Sequence, residues 1–284
     1  MESNGMMLVE TRHAIDPKTA KAFDTAGLRA AFLVETLFVP GEIRLTYSHL
    51  DRLIVGGAMP AAGAIDLRQV RQAGTPDLLD RREMTVVNVG GEGSVTAGGR
   101  SYPLSHRDML YLGKGSGPVR FASVDGRKPA KFYLLSAPAH KEIPPRLIRI
   151  GDARRLDLGE RATANERSIH QFVHPDVMES CQLVVGMTVL AEGSVWNTMP
   201  CHVHDRRSEA YLYFGLPEQG RVFHFMGEPE ETRHLVVANE QAVLSPGWSV
   251  HSGAGTSSYS FIWAMAGDNV DYADVDMVPM EDLR

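Results

Sequence analysis

The stretch NTMPCHVHDRRSEAYLYFG, residues 197–215, sets His202 and His204 one residue apart and places Glu209 at the head of an apolar, aromatic run. Side chains alternate faces along a strand, so the two histidines share one face while Cys201 and Val203 take the other. Residues 205–208 suffice for a turn, after which Glu209 opens a returning strand opposite the histidines. Tyr211 and Tyr213 continue on the face of the glutamate. Further on, SPGWSVH brings His251 to the same region on a third strand. Three neutral imidazoles and one carboxylate suit a borderline divalent cation such as Zn²⁺, Mn²⁺ or Fe²⁺. A bare His-x-His is commonly a surface or hydrogen-bonded pair; the glutamate at this offset and the later histidine after a proline-containing turn make it a metal site.

The other histidines (His13, His49, His106, His140, His170, His174, His224 and His234) read individually as surface, capping or core residues, and some as pocket-lining or supporting groups. Cys201 has no nucleophilic role, since alternation turns it off the ligand face. GKGSG, residues 113–117, is glycine-rich, but it lies between β runs and opens no helix, which argues against a phosphate cradle. Asp205, Arg206 and Arg207 are a solvated turn on one reading and a grip for a substrate carboxylate on the other.

The elements that position these groups are mostly strands. Asp16-Pro17 predicts a helix entry into KTAKAF, TAGLRAAFLVETLF carries helix-like apolar spacing weakened by Gly27, and TPDLLDRRE (75–83) predicts a short helix capped by Thr75. Thereafter short β runs alternate with Gly, Pro and Asp, the pattern of a sandwich or barrel. The pattern also repeats: EMTVVNVGG (83–91) echoes EAYLYFG (209–215), DMLYLGKGSG (108–117) echoes QAVLSPGWSVHSG (241–253), and KFYLLSAPA (131–139) echoes SFIWAMAG (260–267). RRE at 81–83 echoes RRSE at 206–209. The expected fold is mainly β: two cupin-like jelly-roll barrels with a few short helices, residues 1–150 without a metal site and residues 151–284 with one. The first half has no histidine pair before Glu83, and Val119 falls where His251 would be matched.

At 284 residues, the chain is long enough for one large or two smaller domains. Its 43% hydrophobic and 23% charged residues are those of a soluble globular protein. The net charge of −6 gives no reason to expect nucleic acid or an anionic membrane as a partner. MESNGMMLVE has neither the basic nor the apolar region of a signal peptide, no stretch approaches a membrane span, and two cysteines, Cys181 and Cys201, make no disulfide framework. A cytoplasmic location follows as the default.

HVHDRRSE with PGWSVH resembles the two metal-binding motifs of the cupin superfamily, although Trp248 stands where a glycine is usual. Longer stretches, among them FDTAGLRAAFLVETLFVPGEIRLTYSHLDRLIVGGAMP and CQLVVGMTVLAEGSVWNTMPCHVHDRRSEAYLYF, resemble the 5-keto-4-deoxyuronate isomerase family from about residue 12 to the final DLR. That resemblance implies a cytoplasmic, usually hexameric isomerase with one zinc per subunit. It implies as substrate a small open-chain keto-aldehyde uronate and as product 3-deoxy-D-glycero-2,5-hexodiulosonate, in pectin breakdown. The family's zinc ligands carry over onto His202, His204, Glu209 and His251. No catalytic base is assigned. Tyr211, Tyr213, His224 and His234 are open as pocket groups, and Arg206, Arg207, Arg233 and Lys114 as grips for the carboxylate. An Fe²⁺ dioxygenase with the same ligands and a non-enzymatic sugar binder are the rival readings.

Overall fold

Asp16 and Asp24 each accept a hydrogen bond from the third residue on, at Thr19 and Gly27, and so cap two short helices, Pro17–Lys21 and Thr25–Phe32. Beyond Phe32 the chain turns extended at Leu33–Val34, and strands dominate from there. The computed structural model describes residues 5–268 and 272–284 and shows a mainly β protein in two compact units. The units are not the uninterrupted halves 1–150 and 151–284. The first comprises the residues up to Arg12 with Thr36–Ala153 and Pro175–Leu183; the second comprises His13–Glu35, Arg154–His174 and Val184–Arg284. The exchange has a packing cause. Leu28 and Phe32 are buried in the core of the second unit, and Leu33–Val34 adds an edge strand to its sheet.

Each unit is a seven-stranded sheet with a four-stranded sheet, and the core of each draws side chains from both layers. In the second unit the large sheet runs Arg154–Leu158, Arg167–Val173, Val184–Leu190, Ser260–Gly267, Arg207–Phe214, Gln241–Ser245, Leu33–Val34, all antiparallel. Its small sheet runs Trp196–Asn197, Ser252–Gly255, Val222–Glu228, Glu231–Val237. In the first unit Phe132–Pro138, Arg82–Asn88 and Met109–Leu112 lie side by side as Ser260–Gly267, Arg207–Phe214 and Gln241–Ser245 do in the second, so the sequence echoes fall on corresponding strands.

Two expectations need correction. TPDLLDRRE does not form a helix capped by Thr75. It makes one 3-10 turn, Leu78–Asp80, closed by a capping box between Asp77 and Asp80, and Arg82 already belongs to a strand. The Thr75 hydroxyl donates to the Asp77 carbonyl instead. The second correction concerns register. Glu83 pairs with Ala137, whereas Glu209 pairs with Met265, one residue short of the counterpart Ala266. Glu83 therefore stands in the place of Ser208, and Met84 in that of Glu209. A one-residue offset reverses the face. Met84 joins the core between the sheets, while Glu83 accepts the Tyr111 hydroxyl at 2.6 Å and the backbone amides of Cys181, Gln182 and Leu183 at 2.6–2.8 Å.

Candidate metal centre

Four ligand atoms converge in the second unit. His202, His204, Glu209 and His251 each offer one, all within 4.8 Å of one another, the one such group among the described residues. His202 Nε2 lies 2.9 Å from His251 Nε2, and Glu209 Oε2 lies 3.1 Å from His204 Nε2 and 3.2 Å from His251 Nε2. Around a cation with bonds of about 2.0–2.1 Å, adjacent ligand atoms stand roughly 3.0–3.4 Å apart, so the short edges have the right size.

Each group reaches this point by a different route. His202 lies in the two-residue strand His202–Val203, paired with Asp276–Met277. The backbone amide of His204 donates to the Gly247 carbonyl at 3.0 Å, tying the histidine loop to the PGWSVH turn. Glu209 sits inside the large sheet and projects to the core face with Tyr211 and Tyr213, which join the core of the unit. His251 immediately precedes Ser252–Gly255, and its Nδ1 donates to the Ser249 carbonyl at 3.3 Å, which leaves the Nε2 lone pair for the cluster. Cys201 faces away, buried with Val250 and Val278 in a small apolar cluster.

Burial sets the charge states. It pushes His202 down to about 4 and His204 to about 3, each with a smaller push from the Arg207 guanidinium, and drives His251 well below its ordinary value. Neutral imidazole is the form that ligates. Burial also raises Glu209 to about 7, opposed by the Tyr211 hydrogen bond and by Arg207. A cation here would offset the cost of burying that carboxylate.

The two arginines after the histidine pair part company. Arg206 is exposed and ion-paired with Asp274. Arg207 is buried; its Nε–H donates to His204 Nδ1 at 2.9 Å, and its terminal nitrogen to the carbonyls of Tyr272 and Asp274, both at 2.9 Å. Arg233 donates to the carbonyls of Lys21 and Phe23, and Lys114 lies in the first unit. His224 is fully buried with its Nδ1 2.8 Å from the Tyr213 hydroxyl, and His234 is exposed beside Phe223.

A cavity of about 320 Å³ opens onto the cluster, lined by His202, Arg207, Glu209, Tyr211 and Tyr272 and walled by Phe261, Trp263 and Met265. It also holds a residue that sequence reasoning missed. Arg167, half-buried in that lining, donates to the Asn165 carbonyl at 2.9 Å, and burial lowers its pKa, with no carboxylate among the described residues raising it. Nothing local in NERSIH marks it; only the pairing of strand Arg167–Val173 with Val184–Leu190 brings it to the cavity.

Fold and site together define a protein of two cupin-like β units with a candidate metal pocket in the second. A family model described as the KduI/IolB family matches residues 33–279. A 4-deoxy-L-threo-5-hexosulose-uronate ketol-isomerase of Cereibacter sphaeroides is 62% identical over 279 residues, 98% of this chain and 100% of that protein. A protein of the same name from Shouchella clausii is 53% identical over 276 residues, 97% of this chain and 100% of that one. Among solved structures, an IolB-like protein of Salmonella typhimurium LT2 superposes with a TM-score of 0.66 at 20% identity, covering 80% of this chain and 87% of its own. Bacillus subtilis oxalate decarboxylase, a structure described for its Mn(II) centres, gives 0.54 at 13% identity, covering 80% and 73%; at these identities both show the fold alone. The chain belongs to the KduI/IolB family. It is an enzyme of the ketol-isomerase class.

Proposed function

We propose that this enzyme converts 5-dehydro-4-deoxy-D-glucuronate into 3-deoxy-D-glycero-2,5-hexodiulosonate, with one zinc ion per subunit held by His202, His204, Glu209 and His251. The observation that carries this reading is the convergence of three imidazoles and a carboxylate beside a cavity that also contains Arg167, a cation with no carboxylate partner among the described residues. Relatives of 53–62% identity over nearly the whole chain bear the corresponding name.

Aldose–ketose exchange moves a proton from the hydroxyl-bearing carbon to the neighbouring aldehyde carbon, and the hydroxyl proton passes to the former aldehyde oxygen. A bound divalent cation supplies Lewis-acid stabilisation of the negative charge that develops on the two oxygens. Residues of the chain bind, orient and shield the substrate. Arg167 takes the substrate carboxylate in a bidentate grip, which turns the aldehyde end toward the cluster. Phe261, Trp263 and Met265 exclude water from the reacting carbons. Tyr211 hydrogen-bonds Glu209 and fixes its carboxylate. Arg207 holds His204 from behind through Nδ1 and is itself anchored on the carbonyls of Tyr272 and Asp274; a cation on His204 Nε2 would require the proton at Nδ1. A homohexamer in the cytoplasm belongs to the same reading and rests on the family resemblance.

The test is turnover and metal content on one sample. Unaltered protein carries about one zinc per chain and turns the substrate over; Glu209→Ala loses both, and His202→Ala loses turnover and holds zinc more weakly. A loaded but inactive protein, or one that consumes oxygen, returns the chain to the binding or dioxygenase reading.

A further inference from the structure

The four side chains of the centre are not held alike. Strand Arg207–Phe214, with Glu209, is hydrogen-bonded on both sides, and so is Ser252–Gly255, which His251 precedes. The backbone of His204 is fixed to Gly247. His202 differs. Its strand lies in neither large nor small sheet, and among the described residues its one strand partner is Asp276–Met277. It is also the least buried of the four.

The partner segment is pinned at several further points. The Val278 amide donates to the Cys201 carbonyl at 3.0 Å, and the Val278 side chain packs with Cys201 and Val250. Arg207 reaches the carbonyls of Tyr272 and Asp274, and Arg206 pairs with the Asp274 carboxylate. The Thr232 amide donates to the Arg284 carbonyl at 2.9 Å. Tyr272, Ala273 and Val275 line the cavity itself.

We propose that residues 272–284 are a positioning strap, which sets His202 against the other three groups and thereby controls the cation affinity of the site. The inference rests on the reading of those four residues as ligands. The strap contributes no ligand atom; it acts through the backbone of His202. With the strap released, His204, Glu209 and His251 stay on the barrel as a three-ligand site. Supporting groups of this kind are worth roughly 10–100-fold in metal affinity.

The experiment compares the full chain with a chain lacking residues 275–284, with full-length Asp276→Pro, which removes the amide that faces Val203 in the strand pair at an exposed position, and with His202→Ala. Zinc affinity is read by competition with a chromophoric chelator, and Co²⁺ coordination by visible absorption. The strap variants are expected to bind zinc roughly 10–100-fold more weakly, to give the Co²⁺ spectrum of His202→Ala, and to add nothing when combined with it. Unchanged affinity and spectrum in a folded strap variant, or effects that simply add to those of His202→Ala, overturn the proposal. If the deletion does not fold, Asp276→Pro carries the test. Failure of the underlying ligand reading looks different: the unaltered protein takes up neither ion, or His251→Ala binds both as well as it does.

Discussion

Arg167→Gln isolates the carboxylate grip from the metal chemistry. In the free protein this guanidinium donates to the Asn165 carbonyl, and burial lowers its pKa without a compensating carboxylate among the described residues. A substrate carboxylate would supply that compensation through two charge-assisted hydrogen bonds, each worth about 1.5–3 kcal/mol. Two such bonds sum to roughly 3–6 kcal/mol; because the side chain is only half-buried, solvent screening reduces this, and a net loss of about 2–4 kcal/mol follows on substitution. That corresponds to a fall of roughly 30- to 900-fold in kcat/KM at 1.36 kcal/mol per decade. Arg167→Lys keeps the charge but not the planar fork, and falls between the two. The assay is steady-state kinetics on the uronate with bound metal measured in parallel, since neither variant touches a ligand. A kcat/KM within a factor of three of the unaltered enzyme, at equal metal content, refutes the assignment.

Other positions test other parts of the account. A Cβ at Gly247 would meet the His204 carbonyl oxygen at 2.4 Å, so Gly247→Ala should cost about 1–3 kcal/mol of stability and weaken metal binding together, read by thermal melts and chelator competition. Glu83→Ala orphans three backbone amides; at about 1–3 kcal/mol for each unsatisfied buried group, we expect a loss of about 3–5 kcal/mol in denaturant unfolding with the metal content of the folded chain unchanged, and lost metal would contradict the expectation that this glutamate serves the fold alone. His224, pushed down to about 3 by burial, binds a proton more readily unfolded than folded. Its contribution to stability is therefore complete above about pH 6.5 and is lost as the pH falls toward 3, by at most about 1.4 kcal/mol per pH unit. The unfolding free energy of the metal-free protein between pH 7 and 5 should show a slope that shrinks in His224→Gln, and equal slopes would contradict the assignment.

The four-residue cluster was legible because its signal is short-range: spacing keeps His202 and His204 close to Glu209, and a proline-containing turn delivers His251. The expected hairpin is not formed, since His202–Val203 pairs with Asp276–Met277, His204 lies outside the strand, and the glutamate strand begins at Arg207. The repeated β runs were legible for a similar reason, since turn residues punctuate every strand. What stayed hidden depends on pairing between distant segments. The match of Glu83 to Glu209 looked good as letters but is off by one residue, and a strand turns that slip into the opposite face. Arg207 read as half of a solvated turn because nothing in DRRSE shows that its donors meet His204 and two carbonyls some 65 residues on. Arg167 and the strap are of the same kind. TPDLLDRRE failed for a different reason: its helical propensity was outweighed when Arg82–Asn88 was drawn into a sheet between two other strands.

The central claim is that this chain moves a proton between adjacent carbons of a keto-aldehyde uronate at the His202–His204–Glu209–His251 centre. Proton NMR of the purified, zinc-loaded protein with 5-dehydro-4-deoxy-D-glucuronate in D₂O tests it most directly. The account predicts conversion to the 2,5-diketo acid, abolished in Glu209→Ala. A zinc-loaded protein that leaves the substrate unchanged, or a Glu209→Ala variant that converts it at the unaltered rate, would contradict it.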